Sequence, residues 1–285
     1  MHRIRTMQKK DIPVAVRLTE LEDWHFSAGD FDVMMQLWPG GNFVMVNEDE
    51  KILGIGSVLV HGKIAWLSNY IVVKGQRGKG YGKELVAHSL RHISSHGIKD
   101  AGLYTYDDRV GFYSQFGFAR KGKYTLYAGK VPSEAPSEQT VENVYSVDKK
   151  MLADVKRLDK RALGIDRSEF VKSLYRFFPA HFLISRCEYG RIAGYITAGP
   201  CPDGSFEVGQ WIAKDRETAR SLIAALSKNI GSKTLQVIAP DANAGGILKS
   251  YGFRTGRKFV KMSLGKGQKA GKKDWLYSLC GMEVW

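Results

Sequence analysis

Short apolar runs separated by polar turns fill the first half of the chain. Three of these runs predict successive β-strands, at residues 43–47, 52–60 and 64–73. Downstream, Val86, Leu90 and Ile93 recur at helical spacing and predict an amphipathic helix over 82–96. A further apolar run predicts a strand at 101–106. The order of these elements predicts a mixed α/β unit.

A glycine-rich turn, Arg77-Gly78-Lys79-Gly80-Tyr81-Gly82, joins the third strand to the helix. Glycines let a backbone approach an anion closely, the first N–H groups of a helix lack intrahelical partners, and two basic residues add positive charge. A Walker loop would need Ser or Thr in place of Gly80, and a dinucleotide fingerprint would need glycine where Lys83 or Leu85 stands. The turn predicts a pyrophosphate cradle of another kind, with an ordinary strand-to-helix turn as the alternative.

A second motif, Tyr113-Ser114-Gln115-Phe116-Gly117-Phe118, follows the strand predicted at 101–106. In order and distance, the two motifs resemble the acyl-CoA pyrophosphate loop and the catalytic-tyrosine helix of the GNAT family of N-acyltransferases. The resemblance implies an α+β (mixed α/β) fold, a mostly antiparallel twisted sheet flanked by helices, with acetyl-CoA as the acyl donor. The cofactor-binding residues that it implies are Ile71, Val72, Val73, Arg77, Gly78, Lys79, Gly80, Tyr81 and Gly82.

Acyl transfer from a thioester to an amine needs a neutral amine, a group that holds the oxyanion, and a proton for the leaving thiolate. The resemblance makes Tyr113 the general acid, and a core aromatic on an amphipathic helix is the alternative. It also implies that backbone groups at 70–73 hold the pantetheine arm and the oxyanion. The sequence therefore offers a candidate for each task on the donor side.

Carboxylates between the first predicted helix and the strand at 43–47 are the candidates for the acceptor side. Glu22 and Asp23 are the candidate general bases, because an alkylammonium must lose a proton before it attacks. Simple solvation or helix capping is the alternative for any of these carboxylates. The candidate substrate contacts are Trp24, His25, Asp30 and Asp107, the last being a helix N-cap candidate first.

The pattern starts again after a segment rich in proline, serine and glutamate. Ile192-Ala193-Gly194-Tyr195 echoes Ile52-Leu53-Gly54-Ile55, and Tyr251-Gly252-Phe253 echoes Phe116-Gly117-Phe118. A hairpin over 180–198, a strand over 206–213 and a helix over 217–230 complete a second unit of the same kind. We therefore predict two tandem GNAT folds, with a catalytic domain at 1–130, a linker at 131–140 and a GNAT-like domain at 141–285.

The second unit lacks the groups that the first one offers. Its turn, residues 213–219, has no glycine and two carboxylates, and Leu248 stands where the first unit has Tyr113. The chain resembles a tandem-GNAT subfamily with an active first domain and a degenerate second one, the latter marked here by Gly164-Ile165-Asp166-Arg167. We predict that the second domain is catalytically silent and either walls off the acceptor site or forms a homodimer.

Composition sets the outer limits. Lys and Arg number 43 against 29 Asp and Glu, a formal charge of +14 that would attract polyanions such as coenzyme A. The chain shows no recognition element for nucleic acid, and no long apolar run or signal-peptide core, so we expect a cytoplasmic protein without a membrane partner. Three scattered cysteines predict neither a disulfide framework nor a zinc site.

His88, His92 and His96 recur at the spacing by which a helix can present two imidazoles to one metal ion. Helical projection places them opposite the apolar stripe, so we predict a solvated face and no metal site. Three function classes follow from the whole sequence. The first is an N-acetyltransferase acting on a primary amine of a small molecule or protein, and the others are a non-catalytic acyl-CoA sensor and a basic nucleic-acid or ribosome-associated module.

Overall fold

Helices lie on both faces of one long sheet in the computed structural model, which describes residues 1–24, 26–132, 143–201, 203–266 and 271–279. The elements of the first half are β1 (His2–Thr6), α1 (Ile12–Glu20), α2 (Ala28–Leu37), β2 (Asn42–Asn47), β3 (Ile52–His61), β4 (Ile64–Val72), α3 (Tyr81–Ser95), β5 (Asp100–Thr105), α4 (Val110–Ser114) and β6 (Ala119–Gly129). The elements of the second half are β7 (Val144–Ser146), α5 (Leu152–Leu163), α6 (Ser168–Phe177), β8 (Phe182–Arg186), β9 (Ile192–Pro200), β10 (Phe206–Ala213), α7 (Arg216–Ile230), β11 (Leu235–Pro240), α8 (Gly245–Ser250), β12 (Arg254–Leu264) and β13 (Leu276–Ser278). The mixed α/β fold and its mostly antiparallel sheet confirm the prediction. Within the described ranges, no helix combines the length and the apolar character needed to cross a membrane.

The two halves exchange their last long strands. The order within the sheet is β1-β2-β3-β4-β5-β12-β6-β11-β10-β9-β8-β7, with β13 paired to β10. Strand β12 of the second half therefore pairs with β5 of the first, and β6 pairs with β11. Tyr127 of β6 packs in the core of the second half, whereas Val260 and Met262 of β12 pack in the core of the first.

The exchange joins the two units that the sequence predicts into one continuous sheet. A division of the chain at 131–140 would separate β6 from β11, although the two strands are paired over six positions. The domain boundaries stay a prediction about the chain, and most of the predicted linker lies outside the described residues. Each half depends on a strand of the other, so the halves are expected to fold together.

Strands β4 and β5 separate as they run forward. Their parallel pairing is described from Ile64 to Trp66, although β4 continues to Val72 and β5 to Thr105. The register of β4 against β3 shifts near Asn69, whose φ is 58°, so β4 carries a bulge at this point. A V-shaped gap thus opens between the forward ends of the two strands, and it leads to the glycine-rich turn.

Candidate active site

The glycine-rich turn begins α3 in a conformation that suits an anion. Gly78 and Gly80 have φ values of 82° and 88°, in the left-handed region that favours glycine. Gly80 is the N-cap of α3, and no side chain caps the first turn. The first N–H groups of α3 can therefore bind a phosphate oxygen, and the partial positive charge of the helix N-terminus favours such a ligand.

Arg77 lies over the forward end of β4. Its Nε donates to the carbonyl oxygen of Val72 at 2.9 Å, and its guanidinium forms an ion pair with Glu22. Lys79 donates to the amide oxygen of Gln76 at 3.0 Å. A phosphate group at the turn would compete with Glu22 for Arg77, because the guanidinium already has a carboxylate partner.

Tyr113 packs on the same face of the sheet as α3. Its ring meets the rings of Phe112 and Phe118 nearly edge to face, at centroid distances of 5.0 and 6.2 Å. Burial raises the pKa of Tyr113 to about 12, and the positive charge of Arg109 opposes that shift. The hydroxyl therefore holds its proton throughout the neutral range and can donate it.

The gap lies between Tyr113 on one face and a cavity on the other. Leu103 of β5 belongs to the core cluster of Tyr113, whereas its neighbours Tyr104 and Tyr106 pack in a cluster on the opposite face. Tyr106 also lines a cavity of about 920 Å³ between the two halves. A group held in the gap near the end of β5 would be reached by Tyr113 from one side and from the cavity on the other.

Residues of both halves close this cavity through direct contacts. Trp24 donates its indole N–H to the Tyr106 hydroxyl at 3.1 Å. Arg257 of β12 forms an ion pair with Asp23 at 3.0 Å and lies 3.5 Å from the same hydroxyl. Strand β12 of the second half thus places the guanidinium of Arg257 beside the carboxylate of Asp23 in the first half.

Comparisons with known proteins identify the family of both halves. A model of the acetyltransferase (GNAT) family matches residues 10–118, and a model of an acetyltransferase (GNAT) domain matches residues 155–278. The chain belongs to the GNAT family. The predicted tandem of GNAT domains and the acyltransferase class are confirmed.

Three proteins match almost the whole chain, and one of them is described as a tandem GNAT protein. Holothin acyltransferase of Pseudoalteromonas sp. (strain SANK 73390) is 22% identical over 266 residues, which cover 92% of this chain and 87% of the relative. A candidate acetyltransferase from Pyrococcus horikoshii has a TM-score of 0.81 at 21% identity and covers 100% and 96% of the two chains. A tandem GNAT protein from the clavulanic acid biosynthesis pathway has a TM-score of 0.67 at 14% identity, covering 94% and 100%.

The second GNAT domain has the corresponding strand pair, but its gap is filled. Strands β10 and β11 are parallel and paired from Phe206 to Val208, after which β13 pairs with β10 at Trp211 and Ile212. The Ser278 hydroxyl of β13 donates to the carbonyl oxygen of Ile238 at 3.0 Å. The chain's own strand therefore occupies the space that is open in the first domain.

The helix start and the tyrosine position also differ in the second GNAT domain. The carboxylate of Asp215 caps α7 by accepting the N–H of Thr218 at 2.8 Å, so a negative charge lies where the first domain would hold an anion. Leu248 of α8 is fully buried in the core. These observations agree with the prediction that the second domain is silent, which stays a prediction.

The predicted acceptor-side residues separate into two groups. Asp23, Trp24 and Asp30 all line the cavity, although the carboxylate of Asp30 also caps α2 by accepting the backbone N–H of Ser27 at 2.7 Å. Asp107 does not line the cavity, and its exposed carboxylate pairs with Arg120 at 2.7 Å, which lowers its pKa. His25 lies outside the described residues.

Sequence reasoning missed Tyr106 and Arg257. The position of Tyr106 at the end of a predicted strand is a signal that could have indicated it, because such ends border the gap. No local signal marks Arg257, because its place at the cavity depends on the exchange of β12.

The prediction of a solvated histidine face holds for His96, which is exposed just after α3, and is wrong for His88 and His92, which are half-buried. The rings of His88 and His92 pack against Phe43 of β2, at centroid distances of 4.7 and 5.1 Å. Burial disfavours the charged form of both imidazoles and therefore lowers their pKa. The reason is that the large ring of Phe43 reaches beyond the apolar stripe of the helix. Among the described residues, no three side chains of the metal-binding types come together.

Proposed function

We propose that the protein is an acetyl-CoA-dependent N-acetyltransferase that acetylates a primary amine, with one active site in the first domain. The observation that carries this proposal is the open gap between β4 and β5, with an uncapped glycine turn at its end, Tyr113 on one face and the cavity on the other. A fold-level likeness alone would not locate the site, because the second domain has the same strands without these features.

The residues of the first domain suit three parts of acetyl-CoA, namely the pyrophosphate, the pantetheine arm and the acyl oxygen. The N–H groups of the first turn of α3, with Lys79 and Arg77 beside them, suit the pyrophosphate. The end of β4, at Ile71 and Val72, borders the gap and offers backbone groups to a pantetheine arm and to the acyl oxygen, whereas the N–H of the next residue, Val73, already donates to the carbonyl oxygen of Leu53 at 2.9 Å. When bound, acetyl-CoA supplies an acetyl group activated as a thioester.

Proton movement is assigned to two residues. We propose that Tyr113 gives its hydroxyl proton to the sulfur as the C–S bond breaks, since its raised pKa keeps it protonated. Asp23 is the better placed candidate base, because it lines the cavity and Glu22 does not, although each carboxylate has an arginine partner, Arg257 for Asp23 and Arg77 for Glu22. An amine in the cavity loses one proton to this carboxylate, directly or through water, as the N–C bond forms.

The experiment that tests this function combines binding with product formation. Calorimetry with acetyl-CoA should show one site per chain, and addition of an accepted amine should release one thiol per N-acetylated product seen by mass spectrometry. Two sites per chain, or none, would contradict the assignment. Binding without thiol release for every amine would indicate the acyl-CoA sensor instead.

A further inference from the structure

The cavity between the two halves has an apolar wall built largely by the second domain. Its lining comes from the α1–α2 connection, α2, the end of β5 and β6 on one side, and from α6, β9, β10, β11 and β12 on the other. The aromatic residues of this lining include Trp24, Phe26, Tyr106, Phe170, Phe178 and Phe259. A volume of about 920 Å³ with aromatic walls suits a compact organic molecule with a flat apolar body.

The charged groups of the cavity favour a cation. Three carboxylates line it, from Asp23, Asp30 and Glu207, against the single guanidinium of Arg257 among the described lining residues. Asp23 pairs with that guanidinium, and Asp30 is engaged in capping α2. Glu207 of β10 is the carboxylate that the second domain contributes to the lining, so both halves bring negative charge to the cavity.

The charge of Glu207 acts within a partly buried region. Burial raises the pKa of the neighbouring Cys201 thiol to about 11, and the negative charge of Glu207 adds to the shift. Both residues line the cavity, on the side of β9 and β10. A carboxylate in such surroundings attracts an ammonium group more strongly than a fully solvated one would.

One close contact fixes the aromatic wall. The ring of Phe178 lies directly against Gly199 of β9, where an added Cβ would be 2.6 Å from the ring. Glycine at this position lets the ring lie on the strand at the cavity surface. The wall therefore depends on residues of the second domain that are remote in sequence from the cofactor turn.

On the basis of the N-acetyltransferase function proposed above, we propose that the acceptor is a small primary amine with an aromatic or similarly flat apolar body. Its body lies against Phe178 and Phe259, and Glu207 attracts its ammonium form into the cavity. From the ammonium form the nitrogen loses two protons, the first to Asp23 or water to give the neutral amine and the second as the N–C bond forms. The C–S bond breaks and the sulfur gains one proton from Tyr113, so the products are an amide, free coenzyme A and one released proton. The second domain is thus the acceptor-binding half of the enzyme.

The test compares amines on the full-length chain, with binding measured apart from turnover. The panel contains phenethylamine and tryptamine as aromatic amines, and spermidine, free lysine and a lysine peptide as hydrophilic ones. We expect kcat/KM for the aromatic amines to exceed that of the others by roughly tenfold or more. Calorimetry without acetyl-CoA should show phenethylamine binding, with phenethyl alcohol binding more weakly because it lacks the charge.

Two variants test the aromatic wall and the carboxylate of the cavity independently. Phe178→Ala should raise KM for phenethylamine by roughly tenfold while kcat and the acetyl-CoA affinity stay close to wild type. Glu207→Gln should remove most of the preference for phenethylamine over phenethyl alcohol, a change of roughly tenfold. Phe206→Leu and Glu169→Gln, which alter a ring and a carboxylate of the second domain away from the cavity lining, serve as controls.

The outcomes distinguish the two proposals. Efficient acetylation of spermidine or the lysine peptide, with poor use of the aromatic amines, would overturn the acceptor class and leave the acetyltransferase function standing. Unchanged binding and KM in both Phe178→Ala and Glu207→Gln would overturn the assignment of the cavity. Absence of acetyl-CoA binding, with phenethylamine still bound, would contradict the proposed function while the cavity assignment would hold.

Discussion

The gap between β4 and β5 and the gap between β10 and β11 come from the same arrangement of strands, yet they have opposite contents. The first is open, and Gly80 begins its helix without a side-chain cap. In the second domain β13 fills the gap, and Asp215 caps the helix. The difference shows that the GNAT strand pair is only a frame, and that the helix cap and the strand edge decide whether it can accept a ligand.

The two helix starts differ by the replacement of a neutral glycine with a carboxylate. In the first domain the N–H groups of α3 remain for an external anion, whereas Asp215 supplies an internal one to α7. Glycine in place of an N-cap aspartate lowers helix stability by only about 0.3 kcal/mol. The first domain thus keeps its helix start open for a ligand at a small cost in helix stability.

The largest change in activity should come from the short helix α4 of the first domain, and a matched change beside α8, the equivalent helix of the second domain, should have no effect. Tyr113→Phe keeps the ring and removes the proton donor, so turnover should fall by roughly 100-fold while acetyl-CoA affinity changes little. Tyr251→Phe, which removes a hydroxyl beside α8, is the matched control and should leave turnover unchanged. Rates of thiol release and calorimetry measure the two quantities. Wild-type turnover in Tyr113→Phe, with chemistry rate-limiting, would make Tyr113 a core aromatic.

The pH dependence sharpens the role of Tyr113. Its pKa of about 12 means that the acid is protonated at every pH below that value, and it loses its proton only as the pH rises through about 12. Turnover should therefore rise with pH as the amine deprotonates and should not fall again below pH 10. The measurement is the rate of thiol release at a series of pH values with one accepted amine. A descending limb between pH 8 and 10 that disappears in Tyr113→Phe would show that the hydroxyl ionises earlier.

The second largest effect should come from the cofactor turn. Gly80→Glu adds a negative charge at the start of α3 and should raise the dissociation constant of acetyl-CoA by roughly tenfold or more. Gly80→Ala is its matched control, since it shares the cost of a left-handed φ, roughly 1–2 kcal/mol, without the charge.

Asp215→Gly removes the cap in the second domain and should not create a second site, because β13 still fills that gap. A stoichiometry of two would contradict this comparison.

A smaller, salt-dependent effect is expected at the ion pair that borders the first gap. Arg77→Glu should weaken acetyl-CoA binding, most at low ionic strength, because an attraction to phosphate becomes a repulsion. Glu22→Gln should strengthen binding by roughly twofold to fivefold, since Arg77 would no longer be held by a carboxylate and both groups are partly exposed. Calorimetry over a salt series measures both changes. Weaker binding in Glu22→Gln would show that Glu22 orients Arg77 rather than competing with the phosphate.

The smallest effect concerns stability rather than binding. Ser278→Ala removes the hydroxyl that donates to the Ile238 carbonyl, which should lower the free energy of unfolding by about 1 kcal/mol. Acetyl-CoA affinity should not change, because the second gap is a structural site. Ser95→Ala on the exposed end of α3 is the control for a hydroxyl deletion without burial. Denaturant titration of both variants provides the measurement.

Much of the local structure could be predicted because its causes are local. The strand over 206–213 is observed at those residues, and the helix predicted over 82–96 is observed from Tyr81 to Ser95. Apolar periodicity and glycine turns act over a few residues, so one sequence is enough to read them. The two motifs of the first domain fall in this class, because each is a continuous stretch of chain.

The two GNAT units, the glycine turn, the position of Tyr113 and the loss of both features in the second unit can all be read from the order of the residues. The exchange of β6 and β12, the filling of the second gap by β13 and the contact of Arg257 with Asp23 become visible only in the folded chain. They could not be predicted because strand pairing depends on which edges meet in space. Backbone hydrogen bonds between strands carry almost no sequence signature, so the partner of an edge strand and the cavity beside it are fixed by the packing of the whole sheet.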